Sequence, residues 1–342
     1  MSVSIPLKSS KLVSWKPVRV NVSYYCLVPN ASTIHKRSFC YTNLFHALLQ
    51  TGRLQQTLAG CVERNGVGLH SGKLSSVRLW PELASRGRYF EFRCRSIPAA
   101  VEFAQVSPLC TSLSKDGFRI RTVEHLLSAL EASGVDNCRI EIEGFDDKEI
   151  DAEIPIFDGS ARTWVEAVEE VGLAVATDLD GNSVEKMAPH VNEPVCAWRN
   201  DSFVAAFPSP AVQITYGIDY PQAPVIGRQW FSIYPLDNLV YSTEIALSRT
   251  FCIYEEIEPM RNAGLIKGGS LENAIVCSAS KGWLNPPLHF REEPCRHKIL
   301  DLIGDLSMVA QSGNQGLPVA HIVAYKGGHA LHADLARRLI MS

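Results

Sequence analysis

The first sixty residues of this chain contain no aspartate or glutamate; the first acid is Glu63. The same stretch holds seven basic residues (Lys8, Lys11, Lys16, Arg19, Lys36, Arg37 and Arg53) and many serines. It has no compact apolar core, which excludes a secretory signal peptide. A basic, serine-rich, acid-free segment reads as an organelle transit peptide; a basic disordered arm that binds nucleic acid or lipid is the other reading. No run in the chain approaches 18 apolar residues, so no membrane-spanning helix is expected. No two cysteines form a C-x-x-C pair, which argues against a four-cysteine structural zinc. Cys26 and Cys40 fall in the leader, and most of the other eight cysteines are expected to be buried thiols of a reducing compartment.

What is present fits a globular protein. The chain has 342 residues, 46% of them hydrophobic and 20% charged, enough for two domains with sizeable cores. Losing the leader removes seven positive charges and no negative ones. The remainder carries 26 Lys and Arg against 36 Asp and Glu, a net charge near −10. That argues against a broad nucleic-acid surface.

Strands are expected where apolar residues alternate or cluster, around Val62–Leu69, at 76–80 and at 89–93. A helix is expected over 123–131, closed by Gly134, then a strand at 138–143 and a helix over roughly 160–171, closed by Gly172. The polar stretch 176–190 reads as a domain boundary. The second half repeats the grammar: strands near 202–220 and 228–236, a helix near 255–263, a strand near 272–279, a helix over 294–311, a strand near 319–325 and a last helix from Ala330. The expected fold class is α+β, with a leader at 1–56, a first α+β domain at 57–180 and a second at 190–342. No strict sequence repeat relates the halves.

His297, Asp301 and Asp305 stand at i, i+4 and i+8. On a helix this puts an imidazole and two carboxylates on nearly one face, a turn apart. Two of them, with a third ligand from elsewhere, would make an open, catalytic metal site. The same spacing also suits a solvated face with an i,i+4 His–Asp pair. His125 at the start of an apolar helix reads either as a packed core residue or as that third ligand. Glu124 before it reads either as a first-turn acid favoured by the helix dipole or as a general base for water. Gly327-Gly328-His329 reads either as a plain strand-to-helix turn or as the support of a protonated His329. In the second case Asp305 would hydrogen-bond the imidazole and raise its pKa.

Seven segments then occur in order: GVGLHSG (66–72), RTVEHLLSAL (121–130), EIPIFDGSA (153–161), SRTF (248–251), GGS-x-x-x-AIV (268–276), RHKILDLIGDL (296–306) and KGGHAL (326–331). Together they closely resemble the zinc-dependent UDP-3-O-acyl-N-acetylglucosamine deacetylases of lipid A biosynthesis, the LpxC family, over roughly residues 57–338. With the basic leader, the chain resembles a plant organellar version. The resemblance implies zinc held by His125, His297 and Asp301, with Fe2+ as the other ion such a set accepts. It implies Glu124 as general base, His329 as cationic general acid or oxyanion stabiliser, Asp305 as its partner, and Thr250 as a hydroxyl at the oxyanion. Lys298, Lys326, Phe251 and Tyr220 are implied substrate contacts, Lys298 looking outward to the substrate, Lys326 near the diphosphate and Tyr220 near the uracil. The implied reaction removes the N-acetyl group of UDP-3-O-(3-hydroxyacyl)-N-acetylglucosamine as acetate, the committed step of lipid A biosynthesis.

The implied fold is two similar domains, each a sheet with two helices, the helices forming an inner layer and each half resembling a small-subunit ribosomal protein domain. Residues 251–283 resemble the family's inserted βαβ element, which shapes an apolar tunnel; Ile257, Leu265 and Ile266 are its candidate lining, with core packing the other reading of each. The implied partner is a UDP-acylsugar with a fatty acyl chain, handled by a monomer without nucleic acid or a transmembrane segment. The expected location is the mitochondrion, with the chloroplast as the alternative. Cys252, Ile253 and Ser202 depart from the family pattern, which bears on acyl-chain and nucleotide binding and not on the chemistry. Every catalytic position is filled, against a silent relative that only binds acylsugar nucleotides.

Overall fold

The structure, a computed structural model, describes residues 48–107, 109–144, 149–285 and 287–341. Two five-stranded sheets carry most of it. In the first the spatial order is Val62–Val67, Leu74–Pro81, Cys138–Glu143, Arg88–Phe92, Arg95–Pro98. In the second it is Val195–Arg199, Ser202–Pro208, Ala320–Tyr325, Gln213–Tyr220, Gly227–Ile233. Both sheets place their last strand in sequence at the centre. Both pair it parallel to one neighbour and antiparallel to the other, with antiparallel pairs at the edges. The halves therefore share one topology although their sequences show no strict repeat. The alternation behind this is plain at the centres: Cys138, Ile140 and Ile142 point to the core between Arg139, Glu141 and Glu143, and Ala320–Tyr325 alternates in the same way.

Among the described residues six α-helices follow in order: α1 (Glu124–Ala132), α2 (Arg162–Val171), the short α3 (Asn238–Val240), α4 (Tyr254–Asn262), α5 (Glu293–Leu306) and α6 (His329–Met341). α1 and α2 flank the central strand of the first sheet in sequence, as α5 and α6 flank that of the second. α2 ends as expected at Gly172, whose φ of 72° suits a residue without a side chain. The equivalent helices α1 and α5 pack on each other. Residues 124–130 of α1 are all buried, and so is every residue of α5 except Lys298. This rules out a solvated face for His297, Asp301 and Asp305: α5 is covered all round and its polar residues face an interior site.

Gly304 sets the closeness of the two helices. A Cβ there would overlap the backbone carbonyl of Glu124. Gly304→Ala is expected to destabilise the protein by about 1–3 kcal/mol through overpacking. The check is a lower urea midpoint at an unchanged m-value.

Two features differ from the sequence expectation. The leader expected at 1–56 lies outside the described residues up to 47, but strand pairing already begins at Leu48. Leu48–Leu54 runs antiparallel to Glu185–Pro189, with Thr51 Oγ1 donating to the Lys186 carbonyl at 2.7 Å. The polar stretch 176–190 thus ends in a strand that gives this segment an edge to pair with. In the first half, Ala104–Val106, Thr111–Lys115, Phe118–Arg121 and Asp151–Glu153 form a further four-stranded sheet that was not foreseen. Within 251–283, Phe251–Ile253 and Ile275–Ser278 are parallel and α4 lies between them in sequence, with Gly282–Trp283 as a third strand.

Several of the seven segments meet in space. Buried Glu153 accepts from the backbone N–H groups of His70 and Ser71, both at 2.7 Å, and so shapes the 66–72 loop. Gly268 N–H donates to the Leu69 carbonyl at 2.9 Å, which ties that loop to the inserted element.

Candidate metal centre and active site

Among the described residues, two groups of three side chains could hold an ion: His125, His297 and Asp301, and Asp305, His329 and His332. Distances separate them. Oδ1 of Asp301 lies 3.7 Å from Nε2 of His125 and 3.4 Å from Nε2 of His297. Ligands at about 2.0–2.1 Å from a tetrahedral ion stand about 3.4 Å apart, so the first group is spaced for one ion between its atoms. Oδ2 of Asp305 lies 2.9 and 2.8 Å from Nδ1 of His329 and His332. Those are hydrogen-bond lengths, with room for protons and not for a metal.

The donor set of the first group suits a cation. Nδ1 of His297 lies 3.0 Å from the Ser248 carbonyl, which can only accept, so this nitrogen carries the proton and Nε2 presents a lone pair. Oδ1 of Asp301 is buried and has no hydrogen-bond donor, which is costly unless a positive charge sits against it. Burial, and then the neighbouring His297, push the His125 imidazole down to about 3. Burial also lowers His297. Burial alone would raise Asp301, but Lys298 and His297 hold it well below the usual carboxylate range. All three groups are thus in the deprotonated form that binds metal.

Glu124 opens α1 beside this group and is only 2% exposed. Its Oε2 accepts from Thr111 N–H at 3.1 Å, and its Oε1 lies 3.9 Å from Nε2 of His329. Burial pushes its carboxyl well above the ordinary value, with the His329 charge opposing. His329 opens α6. Burial works against its charge, but Asp305 carries the imidazole up to about 10, so His329 is cationic throughout the neutral range.

The other expected residues divide. Lys298 donates to Oδ2 of Asp301 at 2.8 Å and lies 5.5 Å from the centre of the Phe251 ring, so it braces a ligand candidate instead of pointing only outward. Phe251 packs edge-on against Tyr220 at 5.5 Å and His297 at 6.5 Å. These three form one wall of the centre. Thr250 is the residue before Phe251, held by its backbone to Gly159 and Ile275. Lys326 is not brought to the group: its ammonium pairs with Asp201 at the surface. Sequence reasoning missed Thr111, Tyr216 and His332, which hold the Asp305 side of the site. Only His332 left a signal, one turn after His329 on the same helix.

A sequence model described as "LpxC: UDP-3-O-acyl N-acetylglycosamine deacetylase" matches residues 55–341. The chain is 65% identical over 295 residues to "Probable UDP-3-O-acyl-N-acetylglucosamine deacetylase 1, mitochondrial" of Arabidopsis thaliana, covering 86% of this chain and 90% of that protein. It is 44% identical over 289 residues to the UDP-3-O-acyl-N-acetylglucosamine deacetylase of Thermosynechococcus vestitus, covering 83% of this chain and 93% of the relative. It is 45% identical over 293 residues to that of Trichormus variabilis, covering 84% and 98%.

Proposed function

The chain belongs to the LpxC family of UDP-3-O-acyl-N-acetylglucosamine deacetylases, and from that premise we propose that His125, His297 and Asp301 hold a catalytic zinc beside which Glu124 and His329 carry out amide hydrolysis. The protein is a hydrolase acting on an amide, and its location is mitochondrial, as in the Arabidopsis relatives. Its substrate is an acylated UDP-N-acetylglucosamine, and its products are acetate and the UDP-acylglucosamine with a free 2-amino group, a step of lipid A biosynthesis. The observation that carries the reading is the buried set of three deprotonated ligand atoms together with buried Glu124 and cationic His329, 3.9 Å from each other.

When bound, zinc would polarise the acetamide carbonyl and make water more acidic, and Fe2+ suits the same donors. Glu124, once ionised, takes a proton from the attacking water. His329 and the Thr250 hydroxyl stabilise negative charge as it develops on the amide oxygen, and His329 has a proton to give to the leaving amine. Lys298, Phe251 and Tyr220 orient the sugar nucleotide, and Lys326 meets the diphosphate on leaving Asp201. The inserted element at 251–283 receives the fatty acyl chain. The shared topology of the two sheets supports a division into domains at 57–180 and 190–342. The net charge near −10 left after the leader speaks against nucleic acid as a partner.

The test is acetate release from UDP-3-O-(3-hydroxyacyl)-N-acetylglucosamine by the enzyme as isolated, after chelation, and after adding back zinc or Fe2+. Chelation is expected to abolish release and zinc to restore it. Zinc-loaded wild type that frees no acetate would overturn the proposal.

A further inference from the structure

Asp305 serves three donors with two oxygens. Oδ1 accepts from the Thr111 hydroxyl, and Oδ2 from Nδ1 of both His329 and His332. A carboxylate only accepts, so both Nδ1 atoms carry protons. The other nitrogen of His332, Nε2, lies 2.9 Å from the Tyr216 hydroxyl. Tyr216 and His332 are both wholly buried. Were His332 cationic, its Nε2–H would point at the Tyr216 oxygen, and the phenol proton would have no acceptor among the described residues. With His332 neutral, the phenol donates to Nε2 and every proton has a partner. Burial drives the imidazole of His332 down, against the carboxylates of Asp305 and Asp301 on α5 and with the added pressure of His329 on the same helix. Burial drives the Tyr216 phenol up, and there Asp301 and Asp305 push the same way.

A second observation comes from the Lys326-Gly327-Gly328-His329 turn. A Cβ on Gly327 would lie 2.6 Å from the Tyr216 hydroxyl and 3.1 Å from Nε2 of His332. The glycine leaves space for this contact. Tyr216 is tied to the metal-side helix as well, since its carbonyl accepts from the Cys295 thiol at 3.2 Å, two residues before His297.

We propose that Tyr216 and His332 are positioning residues for the deacetylation. The chain from the Tyr216 hydroxyl through His332 to Asp305 fixes the neutral Nδ1–H tautomer of His332 and places the pair's one positive charge on His329. It also locks Asp305 in the rotamer that aims His329 at the reacting amide. The inference rests on the role given to His329 above, yet its first test needs no turnover.

Nitrogen-15 spectra of histidine-labelled, zinc-loaded enzyme near neutral pH read the ring protons directly. Expected are a doubly protonated His329 and a neutral His332 with its pyridine-type nitrogen at Nε2, assigned by the loss of signals in His332→Asn. A His332 that is doubly protonated, or protonated only at Nε2, overturns the proposal whether or not the enzyme releases acetate. In Tyr216→Phe, kcat is expected to fall about tenfold, the loss of one buried hydrogen bond, with KM unchanged. An unchanged kcat, or a fall matched by a rise in KM, also overturns it. Should Tyr216→Phe not fold, the wild-type spectra still decide.

Discussion

Replacing Glu124 by glutamine is expected to lower kcat by about 10²–10⁴-fold, the usual contribution of a placed general base, without changing metal content. The amide keeps the size of the carboxylate and can still accept from Thr111 N–H, so the start of α1 and the adjacent His125 stay in place. It cannot take a proton. Glu124 lies outside the three-atom cluster of His125, His297 and Asp301, so bound zinc should persist. Metal analysis on the same preparation separates the outcomes: loss of activity together with zinc would make Glu124 a ligand or a structural support instead of the base. The high pKa that burial imposes on Glu124 also has a sign. Its base form is depleted as pH falls, so turnover should decline on the acid side first.

The second large effect is expected at Asp301. Asp301→Ala removes the oxygen that both imidazoles approach and the acceptor of the Lys298 ammonium. It leaves Lys298, largely buried, without its carboxylate and with two neutral histidines for neighbours. The variant is expected to lose its metal and with it all measurable acetate release, and not to recover when zinc is added at concentrations that restore chelated wild type. Asp301→Asn keeps the shape but not the charge, so it should bind zinc weakly and recover in part at high zinc. Full activity in Asp301→Ala would show that the ion sits elsewhere.

The spacing of His297, Asp301 and Asp305 was readable because helix periodicity is local. It could not divide the labour among them. That division depends on whether neighbouring atoms stand 3.4–3.7 Å or 2.8–2.9 Å apart, which tertiary packing sets. The family motifs supplied the assignment that spacing left open. Tyr216 was hidden because an aromatic in a strand looks like core, which it also is. Thr111 was hidden because its strand belongs to a sheet the sequence did not announce. Gly327 was legible as a place of close approach, but not what approaches it. At the other end, the acid-free composition that marks the leader runs on through Arg53, so composition alone could not show that Leu48–Leu54 pairs as a strand.

The common topology of the two sheets has a mechanical consequence. Glu124 and His125 stand on α1 of the first half; His297 and Asp301 stand on α5, its counterpart in the second. On the proposed assignment neither half owns a complete ligand set, and a bound ion would lie at the seam between them. An ion held there would act as a bolt through two matching plates. Drawing it out loosens the join as well as stopping the chemistry, so metal-free protein should melt earlier and in a less cooperative step, with its first strain felt where α1 and α5 touch at Gly304.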